Sequence, residues 1–140
     1  MIDRDTRALY ADWACVTVRY GDTDRQGHVN NAVFSAFLEA GRVNMLFPEG
    51  CGLHAPGGAF VIARLVLDFK AELNWPGDVW VGTRVARIGR SSMTLEQAIY
   101  QNGVCAATAE NVIVQMDEAT RKSLPLSPQA LAALEALRRG

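Results

Sequence analysis

A chain of 140 residues, 49% of them hydrophobic, is too apolar for intrinsic disorder and of a size expected to form one domain, burying about 70% of its unfolded surface. Its formal net charge of −1 argues against a general nucleic-acid binder, while leaving room for a local basic patch on a phosphorylated ligand. Asp3, Arg4, Asp5 and Arg7 interrupt any apolar leader, and no apolar run is long enough to cross a bilayer, so the expectation is a cytoplasmic protein with no membrane partner.

Residues 1–13 carry a weak pattern and read as a loosely packed arm. Val16, Val18 and Tyr20 then alternate with Thr17 and Arg19, the signature of a half-buried strand. After a polar loop, Val33, Phe34, Phe37, Leu38, Gly41, Met45 and Leu46 recur at helical spacing and predict a helix over 31–46, with Asn30 as its N-cap and Ser35, Glu39 and Arg42 on its polar side. Pro48 and Gly50 end it, and a Gly- and Pro-rich loop follows to residue 58. The rest reads mostly as β. Residues 60–70 are mostly apolar, as in a strand buried on both faces. Pro76-Gly77-Asp78 marks a turn. Val79, Val81, Thr83 and Val85 alternate, and Gly89 suggests a bulge or a close backbone approach. Met93, Leu95, Gln97 and Ile99 form the next strand, Asn102-Gly103 a two-residue hairpin, and 104–116 the last strand. Ser127 and Pro128 open a short C-terminal helix over 128–139, with Leu131, Leu134 and Leu137 on one face.

Strand, long helix, then four strands is an α+β order in which the helix must cover the apolar face of an antiparallel sheet. No repeat or linker divides residues 1–140, so one domain is expected. Cys15, Cys51 and Cys105 are odd in number and lack a C-x-x-C pair, which supports neither a disulfide framework nor a zinc site. Cys15 and Cys105 fall inside strands and read as small core residues. Cys51, near His54, leaves a Cys/His nucleophile conceivable.

Chemistry concentrates in residues 20–31, YGDTDRQGHVNN, at a strand-to-helix junction. A helix N-terminus presents unpaired N–H groups and partial positive charge. A carboxylate beside it can attack, or activate water against, a carbonyl that those N–H groups polarise. The pattern therefore suggests hydrolysis of an activated acyl group. The plain alternative is an ordinary turn, since Asp, Asn and Gly favour turns and Asn30 caps the helix. Asp22, Asp24, Gln26 and Gly27 also fit the opening of an EF-hand loop, but Val33 stands where the bidentate Glu is needed and a strand precedes. Zinc is poorly served, because His28 and His54 are the two histidines and no cysteine pairs with either. No metal or redox cofactor is expected.

Residues 18–42, VRYGDTDRQGHVNNAVFSAFLEAGR, resemble the hotdog fold, and more narrowly the 4-hydroxybenzoyl-CoA thioesterase family. Residues 85–93, VARIGRSSM, are similar to its inner strand, bend and following strand, and residues 112–126 to its last strand and exit. The resemblance spans about residues 14–127 and implies an antiparallel sheet wrapped around a long central helix. It makes Asp24 the catalytic carboxylate, as nucleophile or general base, and the N–H near Asn31 the group polarising the thioester carbonyl. It places the site at a dimer interface threaded by pantetheine. The HVNN ending resembles the D-x-D-x-N-x-H-V-N-N loop of plant acyl-carrier-protein thioesterases, in which Asp, Asn and His are implicated in catalysis. His28 takes the His position there and Gln26 the Asn position.

Gln26, Gly27, Arg90 and Ser91 are the implied substrate-binding residues, with Arg121 and Lys122 within reach of the coenzyme A phosphates. Glu39 is a second candidate carboxylate, weighed against a solvated pairing with Arg42 or Ser35. The expectation is thus an acyl-CoA thioesterase, a homodimer or homotetramer, releasing free acid and coenzyme A. The alternatives are a non-catalytic acyl-CoA-binding hotdog module, a thioesterase acting on acyl-carrier-protein thioesters, and a hotdog dehydratase or hydratase. Pocket length, and so the acyl group, is not legible from sequence.

Overall fold

Side-chain caps tie down the first residues. In the computed structural model, which describes residues 2–139, the Thr6 amide donates to Asp3 Oδ1 at 2.9 Å and starts the short helix α1 (Arg4–Ala8). The Trp13 indole N–H donates to the Arg7 carbonyl at 2.9 Å and Ile2 is buried. The segment expected as a loose arm is therefore docked. Strand β1 (Asp12–Thr17) starts ahead of the alternating stretch and stops before its end. The chain turns there because the Val18 amide leaves the ladder for the Gly77 carbonyl (2.9 Å), and a single 3₁₀ turn, Tyr20–Asp22, leaves Tyr20 exposed against Trp75.

Helix α2 (Asn31–Leu46) is 16 residues long, about 24 Å at the usual rise. Asn30 caps it, its Oδ1 accepting from the Ala32 amide at 3.0 Å. Phe34, Phe37, Leu38, Gly41, Met45 and Leu46 form the buried stripe. Gly41 lets the helix seat closely on the sheet, because a Cβ there would lie 2.5 Å from Val81 Cγ1.

The remaining strands are β2 (Gly58–Phe69), β3 (Asp78–Ile88), β4 (Ser92–Gln101) and β5 (Val104–Asp117). All pairings are antiparallel and the sheet order is β1-β3-β4-β5-β2. Asn102 and Gly103 make the predicted two-residue turn, with φ of 51° and 77°. Gly89 sits in the β3–β4 turn, its amide donating to the Ser92 carbonyl. The register shifts fall elsewhere, at 62/64, 85/87 and 99/100.

Apolar side chains beneath the first half of α2, among them Val18, Val29, Leu73, Val79 and Ile99, form one core. Met93, Leu95, Ile113, Leu126 and Leu134 form a second beneath its end. Between them Gln97 Nε2 donates to the Leu38 carbonyl (3.0 Å) and to Thr83 Oγ1 (2.9 Å), pinning helix to sheet.

Three expectations need correction. Strand β2 is not buried on both faces. It pairs with β5 alone, and α2 lies chiefly over β1, β3 and β4, so Ile62 is 46% exposed and Phe69 51%. Cys15 and Cys105 are not core residues: Cys15 is exposed and Cys105 half-buried, because Ala14 and the half-buried Val16 take the inward positions beside Cys15. Helix α3 (Pro128–Ala136), capped by Ser127 Oγ accepting from the Ala130 amide, ends before residue 139. It buries Ala130 and Leu134 and leaves Leu131 exposed. A spacing of four along a helix stays closer to one face than a spacing of three. Among the described residues no helix is long and apolar enough to cross a membrane.

Candidate active site

The loop before α2 is built around its two aspartates, which do different work. Asp22 is 2% exposed. Its carboxylate accepts from the Arg19 amide (2.8 Å) and from Arg19 Nη2 (2.8 Å), and its carbonyl accepts from the Asn30 amide (2.8 Å). The Arg19 contacts hold the Asp22 carboxyl below the usual carboxylate range. A carboxyl with a depressed folded-state pKa stabilises the fold above its unfolded pKa, and that support is lost as pH falls through the folded value. Asp22→Asn is therefore expected to cost about 1 kcal/mol at pH 7, the Arg19 fork being exposed and screened. Urea unfolding at pH 7 and pH 3 checks this, since the gap from wild type should shrink at the lower pH.

Asp24 instead opens to solvent. Its amide donates to the His28 carbonyl (2.7 Å), while its Oδ1 accepts from the amides of Gln26 (2.8 Å) and His28 (3.2 Å). The reversal between them needs a positive φ at Gly27, which adopts +86°. One carboxylate oxygen is thus held by the backbone, and Oδ2 has no protein donor among the described residues. The Val29 amide, donating to the Leu73 carbonyl at 2.8 Å, fixes the loop against the segment that follows β2.

Asp24, Gln26, His28 and Asn31 line one cleft of about 300 Å³ at the start of α2. Phe34 and Phe69 wall it, their rings 5.0 Å apart. The Ala32 amide is taken by the Asn30 cap and the Val33 amide by the Asn30 carbonyl. The Asn31 N–H is left without a protein acceptor among the described residues, at the positive end of the helix. Glu72 also lines the cleft, a residue that sequence reasoning missed. Its Oε2 lies 3.1 Å from His28 Nε2, so the imidazole is oriented by Glu72 and reaches Asp24 only through its backbone. No local pattern announces that contact, because it joins the loop to the segment after β2, distant in sequence.

Arg90 and Ser91 lie elsewhere. The Arg90 carbonyl accepts from the Leu126 amide and the Ser91 carbonyl from the Gln115 amide, at the β3–β4 turn. That turn is separated from the loop by the length of β3, about 30 Å. Arg121 and Lys122 follow β5 at that same far end. Glu39 is exposed and lines a second cavity, outside the Asp24 cleft. The expected Glu39–Arg42 pairing on a solvated face does not form, because Arg42 is 8% exposed and turned under the helix.

A family model for the thioesterase-like superfamily matches residues 18–134, which includes the loop, α2 and all four following strands. The chain belongs to the thioesterase-like superfamily. A thioesterase of Thermus thermophilus, solved with coenzyme A and zinc, is 31% identical over 92% of this chain and 95% of its own, with a TM-score of 0.78. A Pseudomonas aeruginosa protein is 27% identical over 96% of both chains, with a TM-score of 0.84. A DHNA-CoA thioesterase of Staphylococcus aureus, 21% identical over 89% of this chain and 91% of its own, shares the fold at a TM-score of 0.79. No curated protein matches the chain. The resemblance to hotdog thioesterases carried by residues 18–42 is borne out, and the five-stranded antiparallel sheet with its helix is the architecture that these thioesterase-like proteins share.

Proposed function

We propose that this member of the thioesterase-like superfamily is a single hotdog domain, the sheet curled round α2, that hydrolyses acyl-CoA thioesters to the free acid and coenzyme A. The observation that carries the reading is the Asp24 carboxylate, with Oδ2 free, in one cleft with the unpaired Asn31 amide. Asp24 takes a proton from a water whose oxygen bonds to the thioester carbonyl carbon. The carbonyl electron pair moves onto oxygen, where the Asn31 N–H and the helix end stabilise it. When the intermediate collapses the carbon–sulfur bond breaks, and the departing thiolate recovers the proton from Asp24. His28 serves by placing Asp24 through its own backbone.

A second copy completes this site. The inward face of β2 carries Ile62 and Phe69 uncovered, and its outer edge is unpaired among the described residues. A long apolar edge of this kind calls for a partner. Antiparallel pairing of β2 with its copy reverses the ends of the sheet, so that the partner subunit's Arg90 and the partner subunit's Ser91 approach the Asp24 end, where they meet the coenzyme A phosphates. The solved Thermus relative, which holds coenzyme A, supports this choice of thiol.

Thiol release from a panel of acyl-CoA thioesters, followed with a disulfide reagent, tests the reading. Release by the wild-type protein is expected. Binding of acyl-CoA without release would overturn it in favour of a binding module.

A further inference from the structure

The second half of α2 and the start of β2 flank a half-open cavity of about 130 Å³. Its walls are largely apolar, with Leu46, Phe47, Phe60, Ile62 and Ile113 among them, and the exposed Glu39, one turn before Arg42, also lines it without forming an ion pair with that residue. One buried cation intrudes. Arg42 is 8% exposed and lines the cavity, and its Nη1 is fully buried with no hydrogen-bond partner. None of the ion pairs among the described residues includes it.

A guanidinium stays charged at any working pH and carries five donors in a planar fork. Leaving such a charge buried and unpaired is among the costliest arrangements a fold can hold. The matching partner for a planar fork is a carboxylate, bound through two parallel N–H bonds. Size narrows the occupant further. A cavity of about 150 Å³ accommodates a benzene ring, so this one has room for a chain of only a few carbons.

We propose that this cavity receives the far end of the acyl group and that Arg42 binds a carboxylate there, making the substrates short acyl-CoA thioesters with a terminal carboxylate. The proposal rests on the thioesterase reading above. Within one chain Arg42 stands about 16 Å along α2 from Asn31. The antiparallel pairing of β2 with its copy closes that gap. The start of one β2 meets the end of the other, so the thioester lies at Asp24 while the carboxylate reaches the partner subunit's Arg42.

Glutaryl-CoA and pentanoyl-CoA share a five-carbon acyl chain and differ in the terminal carboxylate, so their kcat/KM ratio is the test. The wild-type protein is expected to prefer glutaryl-CoA by about tenfold or more, and Arg42→Met to bring the ratio close to one. Arg42→Lys, with charge but no fork, should fall between them. A wild-type ratio at or below one overturns the proposal and needs no variant to fold. So does a ratio that Arg42→Met leaves unchanged, which would make Arg42 a structural contact. Should the protein release thiol from no member of the acyl-CoA panel, the hydrolase reading fails on its own. In that case, or where neither of the two thioesters is hydrolysed, the subsite is judged by calorimetric Kd values for the same two ligands, where the same preference is expected and equal affinities, or no binding of either, overturn it.

Discussion

Asp24→Asn is expected to lower kcat for acyl-CoA hydrolysis by about 10³-fold, within the range usual for loss of a general base, while leaving the thermal melt close to wild type. The loop makes this a clean substitution. Oδ1 accepts the Gln26 and His28 amides, and an asparagine oxygen can accept both, so the reversal around Gly27 persists. What changes is the other atom. Oδ2, which has no protein donor among the described residues, becomes an amide nitrogen with no lone pair to offer a proton. KM should move far less than kcat, because the walls supplied by Phe34 and Phe69 and the Asn31 amide are untouched. A variant as fast as wild type would remove Asp24 from the reaction. Excess enzyme reacting once in ¹⁸O-water tests for a nucleophilic carboxylate whose own carbonyl carbon is attacked by water. A general base puts the label in the released acid, whereas a nucleophile that is itself attacked by water keeps the label in Asp24.

The parts of this arrangement that could be read in the sequence are those set by neighbouring residues. Asn30 as cap, the 31–46 helix, the Asn102-Gly103 turn and the crowding of Asp24, Gln26 and His28 before a helix all follow from local stereochemistry. The parts that escaped depend on which surfaces meet. Strand β2 is apolar along most of its length, and hydrophobic pattern reports that a surface is to be covered, not by what. Ile62 and Phe69 stay half open because the 16-residue helix α2 lies over other strands. Arg42 reads as polar-face residue from its helical position, yet the groove between α2 and β2 takes it in. Glu72 faces His28 because the segment after β2 and the loop before α2 converge, a contact with no trace in either alone. The resemblance singles out Asp24 of the D-x-D pair, but what makes Asp22 structural, its burial and its contacts with Arg19 and Asn30, is not written in the motif.

If β2 pairs with its copy as proposed, Ile62→Lys is expected to leave a monomer and to carry away most of the activity. Ile62 is 46% exposed in the single chain, so the substitution removes little from the chain's own core, and the lysine ammonium can reach water. Its effect falls on the uncovered face of β2, where Ile62 also walls the Arg42 cavity, so the loss of activity is read against the dimer fraction. A two-fold axis applies each substitution twice, and like charges brought together across an interface cost several kcal/mol, which corresponds to roughly a 10³-fold weaker association. Lysine on an exposed strand edge is also what natural sheets use to prevent pairing. If the cleft at Asp24 depends on the neighbouring subunit for its coenzyme A contacts, turnover must follow association. Specific activity of the variant should then rise with protein concentration, in step with the dimer fraction measured by sedimentation, while the wild type stays constant over the same dilution series. A wild-type protein that sediments as a monomer at full activity, or a monomeric variant with undiminished kcat/KM, would confine the site to one chain and remove the two-fold from the mechanism.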